Sequence, residues 1–313
     1  MIRRSRSAVA TALASAVLAA CAGAQQRADN SFDMSVQRPA HTARHPRLAI
    51  DEGHNNFHTA AGRYAPFAAL MRNDGYRVAP SAVTLTKVAL DSVEVLVIAN
   101  PAAPGIGAGG ATSASAFTDA ECDAVRDWVR AGGALLLIAD HAPFGSAAEN
   151  LAGRFDVNFG KGFVHDTAHF LAGRGPTMLM FDHERLGAHA IMNGRDESER
   201  IRTVVSFTGQ SMSIPAGADA LLRLSPTAGE SPTREDLASL RGVSAAGRAQ
   251  GIAMPFGRGR LVMLGEAAMM SAQLAAGAAD QYGAPFKMGM NHPGSDDKQF
   301  ALNVVRWLSR ALE

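Results

Sequence analysis

Gly132-Gly133-Ala134-Leu135-Leu136-Leu137-Ile138-Ala139-Asp140-His141 is the stretch that decides the fold. Six apolar residues follow a glycine pair without a break, and an acid and an imidazole end the run. The run is too short for a core helix and too apolar for a strand with one wet face, so it reads as a strand buried on both sides. Upstream, Thr118-Asp119-Ala120-Glu121 is a capping box. It opens a helix through Val125, Trp128 and Val129 that stops at the glycine pair. Further back, Arg47–Ile50, Tyr76–Val78 and Val93–Ala99 read as strands, and Tyr64–Arg72 carries apolar residues at helical spacing. Downstream, Ser146–Arg154 is a short helix, Ala249–Met254 and Leu261–Leu264 are strands, and Asp296–Leu312 is a closing helix. Gly257-Arg258-Gly259-Arg260 is too short to cradle a phosphate and reads as a tight hairpin turn. Buried strands alternating with amphipathic helices predict an α/β fold, a mainly parallel, doubly wound sheet with helices on both faces in a flavodoxin-like order.

The remaining segments are less regular. Phe163–Asp166, Thr203–Phe207 and Ala220–Leu224 read as added, antiparallel strands, and Thr227–Ala246 as a polar excursion. Ala267–Ala279, rich in Ala and Met, reads as a core helix plus loop, and the Gly/Ala/Ser-rich stretch 102–115 as a mobile loop.

The N-terminus has the form of an export signal. Arg3, Arg4 and Arg6 precede an apolar run from Ala8 to Ala20, too short for a membrane span. Leu18-Ala19-Ala20-Cys21 matches a lipobox, with Cys21 as the lipidated residue; Ala22-Gly23-Ala24 is a competing A-x-A cleavage site. The expected organisation is a signal over 1–24, a flexible polar tether over 25–45 and one α/β domain over 46–313. The protein is then exported to the periplasm or cell envelope and held at the membrane by its lipid. Losing three arginines takes Lys+Arg from 30 to 27 against 29 Asp+Glu, a mature charge of −2 with no basic stripe, which argues against a nucleic-acid partner. Only Cys21 and Cys122 are present, so the domain must hold without an internal disulfide.

In open parallel sheets ligands bind beyond the carboxyl ends of the strands. The first strand ends in Asp51-Glu52-Gly53-His54, the fourth in Asp140-His141, and the late strand in Gly265-Glu266, with Asn291 and His292 beyond. Glu52, His54, Asp140, His141 and Glu266 are therefore the candidate catalytic residues. The set suits a divalent metal held by His54 and His141, and it equally suits metal-free acid–base work. The plain alternative is that Asp51 and Asp140 cap the turns that follow them. His165, Asp166 and His169 form a second group that reads as structural, and Ser206 lacks the G-x-S-x-G elbow of a nucleophile. Arg195–Arg202 alternates with acids and reads as a solvated face.

Four segments together carry a resemblance: Ile50-Asp51-Glu52-Gly53-His54-Asn55-Asn56, the glycine pair with its strand through Asp140-His141-Ala142-Pro143-Phe144-Gly145, Gly257-Arg258-Gly259-Arg260 running into Leu-Val-Met-Leu-Gly-Glu, and Gln299 to Leu308. Over about residues 46 to 311 the chain resembles exported bacterial proteins of the class I glutamine amidotransferase-like superfamily, near its ThuA-like and DUF4350-like branches. The resemblance implies the fold more than the function. One departure matters: an amidotransferase of that fold carries a Cys at the elbow after this strand, and Asp140-His141-Ala142 has none, while Cys122 sits inside a capped helix. A Cys-dependent glutaminase is thereby argued against. The expectation is a hydrolase of a small polar molecule or carbohydrate, with a non-catalytic binding or scaffold domain of the envelope as the alternative.

Overall fold

The computed structural model describes residues 26–104, 114–279 and 285–313. The export signal with Cys21, and most of the 102–115 loop, lie outside the described residues. From the N-terminus, strand β1 (Gln26–Ala28) precedes β2 (Arg47–Asp51), helix α1 (Ala65–Asn73), β3 (Arg77–Ser81), α2 (Lys87–Leu90), β4 (Val95–Ala99), α3 (Asp119–Arg130), β5 (Ala134–Ile138) and α4 (Phe144–Gly153). The second half runs β6 (Phe163–Asp166), β7 (Met178–Phe181), α5 (Ala190–Asn193), β8 (Val204–Phe207), β9 (Asp219–Arg223), β10 (Ala228–Ser231), α6 (Arg234–Ala238) and β11 (Val243–Ser244). It closes with β12 (Ala249–Phe256), β13 (Gly259–Leu264), β14 (Ala272–Ala279), β15 (Pro285–Gly289) and α7 (Asp297–Leu308).

The central sheet has seven strands in the order β3-β2-β4-β5-β13-β12-β9. The first five are parallel to one another. β12 and β9 extend the sheet antiparallel, β12 as a hairpin with β13 through the turn at Gly257, whose φ of 60° suits glycine. Each central strand feeds two cores. Val95, Val97, Leu136 and Ile138 face a cluster closed by Phe67, Leu70 and Met71 of α1 and Phe300 and Val304 of α7. Leu96, Ile98, Leu135 and Leu137 face the other way, against Cys122, Val125 and Val129 of α3 and Ala148 and Leu151 of α4. Burial on both faces explains the unbroken apolar runs; each such side chain contributes about 1.5–3 kcal/mol. The capping box of α3 is present, with Thr118 and Glu121 bonded reciprocally.

Two expectations are corrected. Residues 26–45, expected to be a flexible tether, lie against the domain. β1 pairs with β14, Asp29 is buried and accepts from Asn291 Nδ2 at 2.9 Å, and Phe32 and Val36 pack on the core. The segment looks polar locally, but its few apolar side chains find partners far away in sequence. Residues 267–279, expected to be a core helix plus loop, form a single 3₁₀ turn at Ala268–Met270 followed by β14. Their alanines favour a helix, but pairing on both sides, with β1 and β15, outweighs that preference. The expected added strands are all present and all pair antiparallel: β6 with β10, β8 with β7 and β9 with β12.

Candidate active site

The carboxyl ends of β4, β5 and β13 meet at a cavity of about 90 Å³. Asp140 and His141 leave β5, Glu266 follows β13, and Asn100 ends β4. Asn100 organises this edge. It sits at φ 49°, in the left-handed region that Asn tolerates best after glycine. From there its Oδ1 accepts the Asp140 N–H at 2.9 Å and its Nδ2 reaches His58 Nδ1 at 3.2 Å. Its own carbonyl accepts from Phe57 N at 2.9 Å. One side chain thus ties two strand ends to the loop after β2.

Asp140 accepts the His141 N–H at 2.7 Å, and its Oδ1 lies 3.9 Å from His141 Nε2. The His141 ring stacks on Phe163 with centroids 4.7 Å apart. Glu266 is almost fully buried, and each of its carboxyl oxygens accepts a backbone N–H, from Ala268 at 2.6 Å and Met269 at 2.8 Å. Burial, reinforced by the nearby charge of Asp140, pushes Glu266 well above the usual carboxylate range despite those two donors. Gly209 lets the chain after β8 pass this close: at its φ of 65°, an added Cβ would stand 2.8 Å from Glu266 Cβ. His58 also lines the cavity; burial, with Arg63 nearby, lowers it to about 3, so it is neutral and accepts from Asn100.

Asp140, His141 and Glu266 are therefore brought together as the sequence suggests, whereas Glu52 and His54 are turned away. Glu52 Oε1 accepts the Ala60 N–H at 2.8 Å and braces its own loop. His54 is buried between two carboxylates, Nδ1 at 2.9 Å from Asp51 and Nε2 at 3.1 Å from Glu121. Burial alone would lower the His54 pKa, but Asp51 and Glu121 outweigh it and hold it above the ordinary value. Glu121 is lowered to about 2: burial opposes ionisation, and the Thr118 N–H, His54 and further donors overcome it. With both ring nitrogens engaged, His54 offers none to a metal. Among the described residues no group of three or more His, Cys, Asp or Glu is placed to hold one. The residues present do not fit the metal centre that His54 and His141 suggest in sequence.

The raised His54 has a consequence for stability. Its contribution is fully present below the unfolded value of 6.5 and is lost as pH rises through the higher folded value. In thermal melts, the stability advantage of wild type over His54→Gln is expected to be largest at pH 6 and to shrink by pH 9. A gap that is constant or grows with pH would contradict the assignment.

The other sequence candidates are scaffold. Asp166 is tied to Ser225 and Thr227 hydroxyls at 2.6 Å, and His165 lies 3.3 Å from Ser231 Oγ on the neighbouring strand. Ser206 is buried on Gln250. Cys122 is buried in α3 with its thiol pushed up to about 11 by burial, unsuited to a nucleophile. Sequence reasoning missed Asn100, Arg63, Gln26 and Gln273, all of which line the cavity. Asn100 ends a strand at the same edge and obeys the rule that found Asp140. The other three carry no local signal.

No protein-family model and no curated protein matches the sequence. Among solved structures, the N-terminal domain of mmIFT52 aligns with a TM-score of 0.57 at 13% identity, over 84% of this chain and 96% of its own. A protein described as ThuA-like from Bacteroides uniformis aligns at 0.40 and 12% identity, over 87% and 93%. One described as a GMP synthase component from Thermoplasma acidophilum aligns at 0.41 and 10%, over 85% and 97%. At such identity the first likeness shows a shared fold and nothing of activity.

Proposed function

We propose that this chain is an exported hydrolase, held at the membrane through Cys21, that acts on a small polar substrate by metal-free acid–base catalysis in the Asp140–His141–Glu266 cavity. We further propose that its fold is the flavodoxin-like one of the glutamine amidotransferase-like superfamily, near the ThuA-like branch; the β3-β2-β4-β5-β13 order supports this. The observation that carries the functional reading is the pairing of two carboxyl groups from different strands, Glu266 pushed up by burial and by Asp140, in one cavity. Divergent environments for neighbouring carboxyls mark acid and base roles. Asp140, beside His141, takes a proton from water as its oxygen attacks the substrate; the bond to the leaving group breaks, and the leaving group takes the Glu266 proton. No Ser, Thr or Cys lines the cavity among the described residues, which favours direct attack by water over a covalent intermediate on a hydroxyl or thiol.

The test is a turnover screen of small esters, amides and glycosides with wild type and Asp140→Asn. Turnover that the variant loses by about 10²-fold or more, with its circular dichroism unchanged, supports the reading. Saturable binding of a small ligand with no turnover would overturn it in favour of a non-catalytic binding domain, the reading that the absence of a lining nucleophile also allows. Anchoring is tested by palmitate labelling, which Cys21→Ser should abolish.

A further inference from the structure

Arg63 enters the cavity from the loop between β2 and α1. Its Cζ lies over the Phe57 ring, 4.2 Å from the centroid. Its one hydrogen bond among the described residues is Nη1 to the neutral Gln26 Oε1 at 3.1 Å. Among the described residues its other four N–H groups meet no acceptor, and the side chain is only partly buried. Among the described residues no carboxylate forms an ion pair with it, and burial lowers its pKa, with Asp140 only partly offsetting. A flat guanidinium fork, braced and unpaired, is the geometry that grips a carboxylate through two parallel hydrogen bonds.

A second group in the same cavity is unsatisfied. Gln273 on β14 is 1% exposed, its Nε2 donates to Ser271 Oγ at 2.7 Å, and its Oε1 has no partner among the described residues. A buried acceptor left bare is costly, and because Gln273 lines the cavity, an O–H or N–H of whatever fills it would satisfy the carbonyl. The cavity, about 90 Å³, suits a small ligand. The charge of Asp140 on the wall disfavours a doubly charged anion such as phosphate more than a singly charged one.

We propose that the cavity recognises a small monocarboxylate carrying a hydroxyl or amide donor, with Arg63 gripping the carboxylate and the Gln273 carbonyl taking the donor. This rests on the reading of the cavity as the substrate site and names the substrate's recognised part. Gln26 acts as a positioning residue, so the strand just after the export signal completes the site.

The test is calorimetric titration of the full chain with glycolate and lactate, beside acetate, glycolamide and inorganic phosphate. Glycolate or lactate should bind, acetate about tenfold more weakly for lack of the hydroxyl, and glycolamide and phosphate not measurably. Arg63→Gln should abolish binding and Arg63→Lys weaken it at least tenfold. Gln273→Met should erase the preference for glycolate over acetate. If no carboxylate binds at millimolar concentration, if glycolamide or phosphate binds as well as glycolate, or if a folded Arg63→Lys binds as wild type does, the inference fails. Carboxylate binding without turnover would sink the hydrolase alone, and turnover of uncharged substrates indifferent to Arg63 would sink this inference alone.

Discussion

Arg306→Met should destabilise the protein by about 3–5 kcal/mol, the cost of stripping one partner from a buried ion pair. Arg306 is 1% exposed and Asp74 wholly buried. The guanidinium makes a two-pronged contact with Asp74, Nε to Oδ2 at 2.9 Å and Nη2 to Oδ1 at 2.7 Å. Its Nη1 also lies 3.1 Å from Glu199 Oε1. Asp74 closes α1 and accepts the Ala40 N–H at 2.9 Å, so the pair locks α7, α1 and the N-terminal segment together. Without the arginine, Asp74 remains buried with no counter-charge, whereas Glu199 keeps Arg195 at 2.9 Å. Urea unfolding of the single variant and of Asp74→Asn/Arg306→Met separates the terms. The double variant should recover part of the loss, because the stranded charge is gone. A loss below about 1 kcal/mol in the single variant would show that the pair is solvated in the folded protein.

Glu266→Gln should lower kcat by about 10²–10⁴ on the substrate that wild type turns over, the usual worth of a positioned general acid. Wild type should lose rate as pH rises through the raised Glu266 value, where the acid ionises, and the variant should lack that alkaline limb. Stability supplies an independent reading. In the unfolded chain Glu266 ionises near 4.5, while in the folded protein it stays protonated to higher pH. The contribution of Glu266 to stability should thus be greatest below 4.5 and decline as pH rises toward the folded value, so the stability of wild type relative to Glu266→Gln should fall over that range. A variant that keeps more than half the wild-type rate, or a wild type with no alkaline limb, would remove Glu266 from the chemistry.

The sequence by itself determined the sheet, because strands buried on both faces must be apolar throughout, and the runs at 47–50, 93–99 and 134–139 can be read without any partner in view. It also located the edge where Asp140, His141 and Glu266 meet, since polar residues that end buried strands of a parallel sheet gather at one side. It could not say which way a side chain turns once it leaves the strand. Glu52 and His54 start at the same edge and face elsewhere, because an N–H at Ala60 and the second oxygen of Glu121 are nearer partners. Glu121 was legible only as a capping residue; the cap uses Oε2 and leaves Oε1 for His54, an arrangement that sequence spacing cannot express. Arg195 to Arg202 looked solvated, yet Glu199 is drawn inside by Arg306, more than a hundred residues on. Arg63, Gln26 and Gln273 reach the cavity from three separate segments, and only the tertiary structure decided that they share it. The physical reason is one of range: burial periodicity is a local property written along the chain, whereas the partner that satisfies a hydrogen bond or a charge is chosen by whatever the folded chain brings within about 3 Å of it.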